Sequence, residues 1–230
     1  MEELWQGLIK AIQLILSLDA DVMEITGRSL TIAATSCSIS TLISLPLGTL
    51  IHFSLFSGKK ILISVLQTLY SVPTVAIGLF VFVLFSRAGP LGGFNIMFTP
   101  VVMVLGQVIL VIPLMLGLII SALSGVDKKI FDTAISLGAN RFQTGVVVMR
   151  EARFAVIAAI IMGFGRAISE VGLALMVGGN IKGFTRTLTT AISLETSKGD
   201  VELAIALGII LMALALMINI ILNRIQHRQA

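Results

Sequence analysis

The chain is 230 residues long, 57% apolar and only 12% charged, with a formal net charge of +4 and a mean hydropathy of +1.05. Soluble domains carry about 25% charged residues, so a water-soluble globular fold is excluded by the surface it would expose. No charge occurs between Arg28 and His52, Lys60 and Arg87, Arg87 and Asp127, or Glu202 and Arg224, and each run exceeds the roughly 18 apolar residues that mark a spanning helix.

In chain order, residues 1–24 come first as an N-terminal amphipathic segment. Its apolar stretch Leu4–Leu18 carries Gln6, Lys10 and Gln13 and at about 1.5 Å per residue falls short of a hydrocarbon core about 30 Å thick. With Trp5 near its start it reads as a helix lying in the membrane interface. Glu2 and Glu3 stand where a secretory signal would be basic, so no signal peptide is expected. Five spans follow, at about Ile25–Phe53, Ile61–Ser86, Met97–Leu123, Phe154–Val177 and Val201–Asn223. The fold class is thus all-α, a polytopic membrane helix bundle. Pro46, Pro73 and Pro113 fall inside these runs, where proline frees a carbonyl and kinks a helix. The first span is rich in small and hydroxyl residues, and its single Cys37 reads as a small buried thiol. In the fourth span Ala155, Ala159, Gly163 and Ala167 recur every four residues. Such a stripe permits close helix packing, either within the chain or across a dimer seam.

Orientation follows from the basic residues. One set of loops holds Lys59, Lys60, Lys128, Lys129, Arg141, Arg150, Arg153, Arg224 and Arg228; the other holds Lys10, Arg28, Arg87, Lys182, Arg186 and Lys198. The richer side is expected in the cytoplasm, which places the N-terminus outside and the C-terminus inside.

Between the third and fourth spans, residues 127–153 form a segment too apolar for a solvated linker. Ile130, Phe131, Ala134, Ile135, Leu137 and Phe142 recur at helical spacing. Gly138 suits a left-handed helix terminus, and Asn140 with Gln143 has the spacing of a capping box. A short amphipathic helix, a glycine turn and a second helix are predicted. The apolar face needs a partner: the base of the bundle, the lipid surface or another protein.

Phe131-Asp-Thr-Ala-Ile-Ser-Leu-Gly-Ala-Asn-Arg-Phe142 resembles the coupling motif of binding-protein-dependent ABC import permeases. Asp132, Thr133, Ala134, Gly138 and Ala139 match its Glu-Ala-Ala-x-x-x-Gly-Ala frame, with Asp for Glu and Thr for Ala. Val148 fits the aliphatic position of its ending, whereas Arg150 and Glu151 stand where Leu-Pro is usual. Ser71–Gly78 is similar to the Pro-x-x-x-x-Gly segment of such permeases. Gly165–Gly172 is similar to a segment of molybdate, tungstate and sulfate permeases, and Val177–Ala191 with Glu195–Asp200 is most similar to the tungstate branch. The resemblance implies a type I importer-like permease domain over residues 25–230. It implies that Asp132, Thr133, Ala134, Leu137, Gly138, Ala139 and Phe142 contact a cytoplasmic ATPase supplied in trans. ATP and Mg would be used by that partner, with no cofactor on this chain. An extracytoplasmic oxyanion-binding protein and the inner membrane of a prokaryote are implied with it, tungstate being favoured over molybdate or sulfate. Five helices are few for a complete path, so a homodimer with the channel on its two-fold axis is expected; no nucleic-acid partner is.

Arg166 lies about 18 Å along the fourth span, where a charge costs at least roughly 2.5–3.5 kcal/mol. Glu170 is four residues on and shares its face, so the two can pair. Either they form a packing ion pair, or Arg166, Ser169 and Glu170 line or gate a path for an anion. The segment Gly178–Asp200, with Lys182, Arg186, Lys198 and several threonines, reads as a solvated loop or, by the resemblance, as a docking or gating surface. An enzyme is not indicated: His52 and His227 belong to no metal-ligand cluster, no phosphate loop occurs, and neither catalytic nor metal residues are assigned. The competing reading is an ion-coupled secondary anion transporter that uses Arg166 and Glu170 as coupling groups.

Overall fold

The computed structural model describes residues 2–227, and within them every regular element is a helix. In order these are α1 (Glu2–Leu16), α2 (Ala20–Phe53), α3 (Lys59–Leu69), α4 (Thr74–Phe85), α5 (Pro100–Ser124), α6 (Lys128–Ser136), α7 (Arg141–Glu151), α8 (Arg153–Ile168), α9 (Gly172–Gly178), α10 (Leu188–Lys198) and α11 (Val201–His227), with a 3-10 turn at Gly92–Phe94. Three helices, α2, α5 and Val201–Ile220 of α11, are long and apolar enough to cross a membrane alone; counting each of the bent pairs α3–α4 and α8–α9 as one broken span gives up to five. Arg228, counted above among the basic residues, lies outside the described residues.

The long helices α2 and α5 form the spine. Along α2, Ser36, Ser40, Ser44 and Gly48 are all buried and, four apart, make one stripe. The Ser36 hydroxyl lies 3.5 Å from the Val104 carbonyl and that of Ser44 3.5 Å from the Ile112 carbonyl, so the two helices run parallel in register. Each hydroxyl is small enough to let the backbones close, which is the usual source of affinity between helices in lipid. Cys37 is buried on the neighbouring face, its thiol 3.6 Å from the Ile160 carbonyl. Pro46 and Pro113 sit inside α2 and α5 as expected.

Pro73 does not. The run Ile61–Ser86 is two helices at 96°, with Pro73 at the N-terminal cap of α4. The residue before a proline is driven out of helical conformation, and proline itself suits the start of a helix. The corner is wedged by Tyr70: a Cβ at position 117 would stand 1.2 Å from its hydroxyl, so only glycine fits there on α5.

The small-residue stripe of the fourth span packs within the chain. Ala159, Gly163 and Ala167 are buried, and a Cβ at Gly163 would meet Met115 of α5 at 3.0 Å. Ala155 is exposed, at the rim of a groove of about 560 Å³ between the ends of α5 and α8. Helix α1 packs on α11, where a Cβ at Gly7 would lie 2.5 Å from Ile205, and Lys10 pairs with Asp200 at 3.7 Å. Its other face exposes Leu4, Trp5, Ile12 and Leu16, apolar surface of the kind an interfacial helix presents to lipid.

Candidate functional site

At the end of the bundle where α2 and α5 finish, the segment 127–153 folds as its local chemistry dictates. The Asp127 carboxylate accepts from the Lys129 amide at 2.9 Å and starts α6. Gly138 stops it at φ 83°, a left-handed conformation costly for residues with a Cβ. Asn140 and Gln143 form a reciprocal capping box, each side chain accepting from the other's amide at 2.9 Å, and α7 follows. The unusual Arg150–Glu151 ending does not break the path into α8, because helical hydrogen bonds of 2.9 Å run through Ala152 from Val148 to Val156.

The apolar residues of this segment divide between two faces. Phe131 stacks on Phe53 with ring centroids 6.4 Å apart, and Ala134 is buried. Turned away from the bundle, Ile135, Leu137 and Phe142 are exposed, the last two at 82% and 80%. Asp132, Thr133 and Gly138 are exposed beside them, while Ala139 is half-buried. A groove of about 1070 Å³ runs alongside, between Leu50, Phe53 and Leu55 of the α2 end and Ile135, Ala139 and Thr144. The seven candidate coupling residues are thus on one compact corner. Ala134 faces inward, a scaffold for the others.

Near the opposite end, the fourth span is broken: α8 and α9 meet at 55°. No proline causes this. Instead Glu170 bends back, its Oε1 accepting from the Leu173 amide at 2.9 Å and its Oε2 from Arg166 at 2.8 Å. The carboxylate is 2% exposed and the guanidinium 32%. Burying a carboxylate is tolerated only with such compensation. One nitrogen of Arg166 is engaged; its other donors have no partner among the described residues. Ser169 is exposed between the pair, and its hydroxyl donates to the Arg166 carbonyl at 3.2 Å.

The segment 178–200 is neither loose nor free in its charges. Lys182 pairs with Asp21 at 2.5 Å and Lys198 with Glu195 at 2.9 Å. Arg186 donates to the side chain and carbonyl of Asn180 at 3.3 and 3.4 Å, and Arg28 donates to the Arg186 carbonyl at 3.1 Å. Thr185, Thr187, Thr189 and Thr190 are buried. Two residues that sequence reasoning did not single out hold the backbone beside the pair. Gln107, on α5, donates to the Ala167 carbonyl at 3.2 Å, and Thr189 donates to the Glu170 carbonyl at 2.8 Å. Gln107 left a signal, being an amide in the middle of an apolar span; Thr189 left none beyond its loop.

A family model described as "Binding-protein-dependent transport system inner membrane component" matches residues 44–230. A probable anion ABC transporter permease of Haloferax volcanii is 41% identical over 90% of this chain and 91% of its own length. The tungstate uptake system permease protein TupB of Peptoclostridium acidaminophilum is 38% identical over 99% of this chain and 100% of its own. The molybdenum transport system permease ModB of Escherichia coli is 32% identical over 84% and 91%. Among solved structures, an inward-facing chain of the MetNI methionine ABC transporter superposes with a TM-score of 0.76, covering 93% of this chain and 98% of that one. At 16% identity that likeness speaks for the fold alone. The helix-turn-helix corner, the broken spans and these relatives together place the chain in the family of inner membrane components of binding-protein-dependent transport systems.

Proposed function

We propose that this chain is the permease subunit of an ATP-driven importer for a small oxyanion, tungstate first and molybdate or sulfate next. The observation that carries the ATP dependence is the corner bearing Leu137 and Phe142, two large apolar side chains more than three-quarters exposed in a segment that matches the coupling motif. An ATPase subunit, using its own ATP and Mg, docks there and covers them. The permease itself carries out no covalent chemistry. The tungstate preference is supported by the TupB relatives, which match along nearly the whole chain.

In this reading the coupling corner faces the cytoplasm, the N-terminus lies outside and the C-terminus inside, in the inner membrane of a prokaryote. Two copies surround the path, and a soluble oxyanion-binding protein delivers cargo to the outer end. Arg166 with Ser169 and Glu170 lines or gates the path: the half-engaged guanidinium offers charge to a passing dianion, and Glu170 neutralises it when cargo is absent. Tight binding in the channel would slow release, so a paired arginine suits a gate.

The test is uptake into proteoliposomes holding the permease and its ATPase, with the cognate binding protein outside the outer face. Uptake that needs ATP and binding protein, survives ionophores and ranks tungstate above molybdate and sulfate is the expected result. Uptake driven by an ion gradient without ATP would establish the secondary transporter instead.

A further inference from the structure

At the break between α8 and α9 two backbone carbonyls accept from side chains on distant elements. The Ala167 carbonyl accepts from Gln107, 60 residues away, as well as from the Glu170 amide at 3.3 Å, and the Glu170 carbonyl accepts from Thr189, 19 residues away. All four residues are buried. In a bilayer a backbone carbonyl at a break has little water to turn to, so these two donors, with the Glu170 carboxylate on the Leu173 amide, help fix where the break lies and hence where Arg166 and Glu170 stand.

The two donors sit on elements that lead in opposite directions. Gln107 is on α5, whose C-terminal end passes through Gly125–Asp127 directly into the coupling helix α6. Thr189 belongs to the first turn of α10, at the far end of the bundle. Its segment exposes Ile181, Lys182 and Phe184 and is fastened to α2 by the Leu188 amide donating to Ser29 at 2.8 Å and by the Lys182–Asp21 pair. The Thr187 and Thr189 hydroxyls are 3.0 Å apart. Since Thr189 spends its one proton on the Glu170 carbonyl, Thr187 is the donor of that contact. The exposed rim is thus connected to Glu170 through Thr187 and Thr189, and α6 to Ala167 through α5 and Gln107.

We propose that Thr189 and Gln107 are positioning residues that tie the Arg166–Glu170 break to the two docking ends, Thr189 carrying engagement of the binding protein and Gln107 carrying engagement of the ATPase. The proposal rests on the reading of Arg166 and Glu170 as elements of the path. Neither residue touches cargo; each acts by holding one carbonyl at the bend.

The experiment uses the complete transporter in proteoliposomes and measures ATP hydrolysis with and without tungstate-loaded binding protein, together with tungstate taken up per ATP. Thr189→Val keeps the side-chain shape and removes the donor, whereas Thr189→Ser keeps the donor. In the valine variant the stimulation by loaded binding protein is expected to fall about fivefold or more, with basal hydrolysis within about twofold of the parent. The serine variant is expected to restore stimulation. Gln107→Leu is expected to keep stimulated hydrolysis and lower uptake per ATP. A valine variant stimulated like the parent overturns the role of Thr189, as does a serine variant that fails alongside it with loss of basal hydrolysis, which would assign the position to packing. If the valine variant does not assemble, normal uptake per ATP in Gln107→Leu overturns the proposal and lowered uptake supports it. Arg166→Ala, measured in parallel, separates the two ideas: full transport there removes the gate reading itself, while impaired transport with an unaffected Thr189→Val removes only the tie.

Discussion

Two spanning helices of this chain are broken, and the two breaks are made by different physics. Between α3 and α4 the turn is 96° and is set by local backbone and packing: Pro73 caps α4, and the amides of Tyr70, Ser71 and Val72 close on carbonyls three residues back. No charge is involved, and Tyr70 fills the corner against Gly117. Between α8 and α9 the turn is 55° and no proline is present. There a buried carboxylate replaces the missing helical partner of Leu173, and donors from α5 and from the first turn of α10 serve the carbonyls of Ala167 and Glu170. A break written into the backbone has one shape. A break held by side chains can change shape when a side chain changes partner, which is what a gate requires.

Substitutions can break or sharpen this contrast. The largest effect is expected from Glu170→Ala, which removes the acceptor for the Leu173 amide and leaves Arg166 unpaired. A loss of about 2–4 kcal/mol is expected, below the range for a fully buried pair because Arg166 is one-third exposed. Thermal melting of the purified complex in detergent checks it. A melting temperature equal to the parent's would mean that α9 does not depend on its carboxylate.

Gly117→Ala comes next. The added methyl collides with the Tyr70 hydroxyl, and overpacking of this kind costs about 1–3 kcal/mol. Combining it with Tyr70→Ala should recover part of the loss, since contacting residues couple. Simple additivity in the same melting assay would show that Tyr70 does not wedge the corner.

Outside both breaks, Phe142→Ala should leave melting of the isolated permease unchanged, because the ring is exposed. It should weaken copurification of the ATPase subunit, by about 2 kcal/mol if the ring is an interface anchor. Undiminished copurification, with Leu137→Ala behaving likewise, would move the docking surface elsewhere.

The smallest effect belongs to Pro73→Ala. Tyr70 and Gly117 still hold the corner, so the change acts through the unfolded chain and costs about 0.4–1 kcal/mol. Transport should persist. If it is abolished, the first break is also part of the moving machinery and the contrast drawn above fails.

The same contrast explains what could be read from the sequence. Charge-free runs gave the spans because the bilayer sets their length. The coupling corner was legible almost residue by residue, since Gly138 and the Asn140–Gln143 box act over three or four positions. The Arg166–Glu170 pair was legible for the same reason, being four apart on one helix. The break between α3 and α4 was read as a kink inside one span, because proline signals a disturbance without its angle. The second break was not read, because two of the groups that make it tolerable lie on α5 and in the first turn of α10, and the cap by Glu170 on the Leu173 amide was masked by its pairing with Arg166. The partners of the loop charges were only partly local: Arg186 meets Asn180 six residues before it, whereas Lys182 meets Asp21 only through the fold.

The most direct test of the central claim, that the side-chain-held break belongs to the transport path, is tungstate uptake by Arg166→Ala in proteoliposomes with bound ATPase and loaded binding protein. The ATPase is expected to stay associated and ATP still to be hydrolysed while uptake falls well below that of the parent. Uptake at the parental rate, with Glu170→Ala also transporting normally, would contradict it and leave the pair as a packing ion pair only.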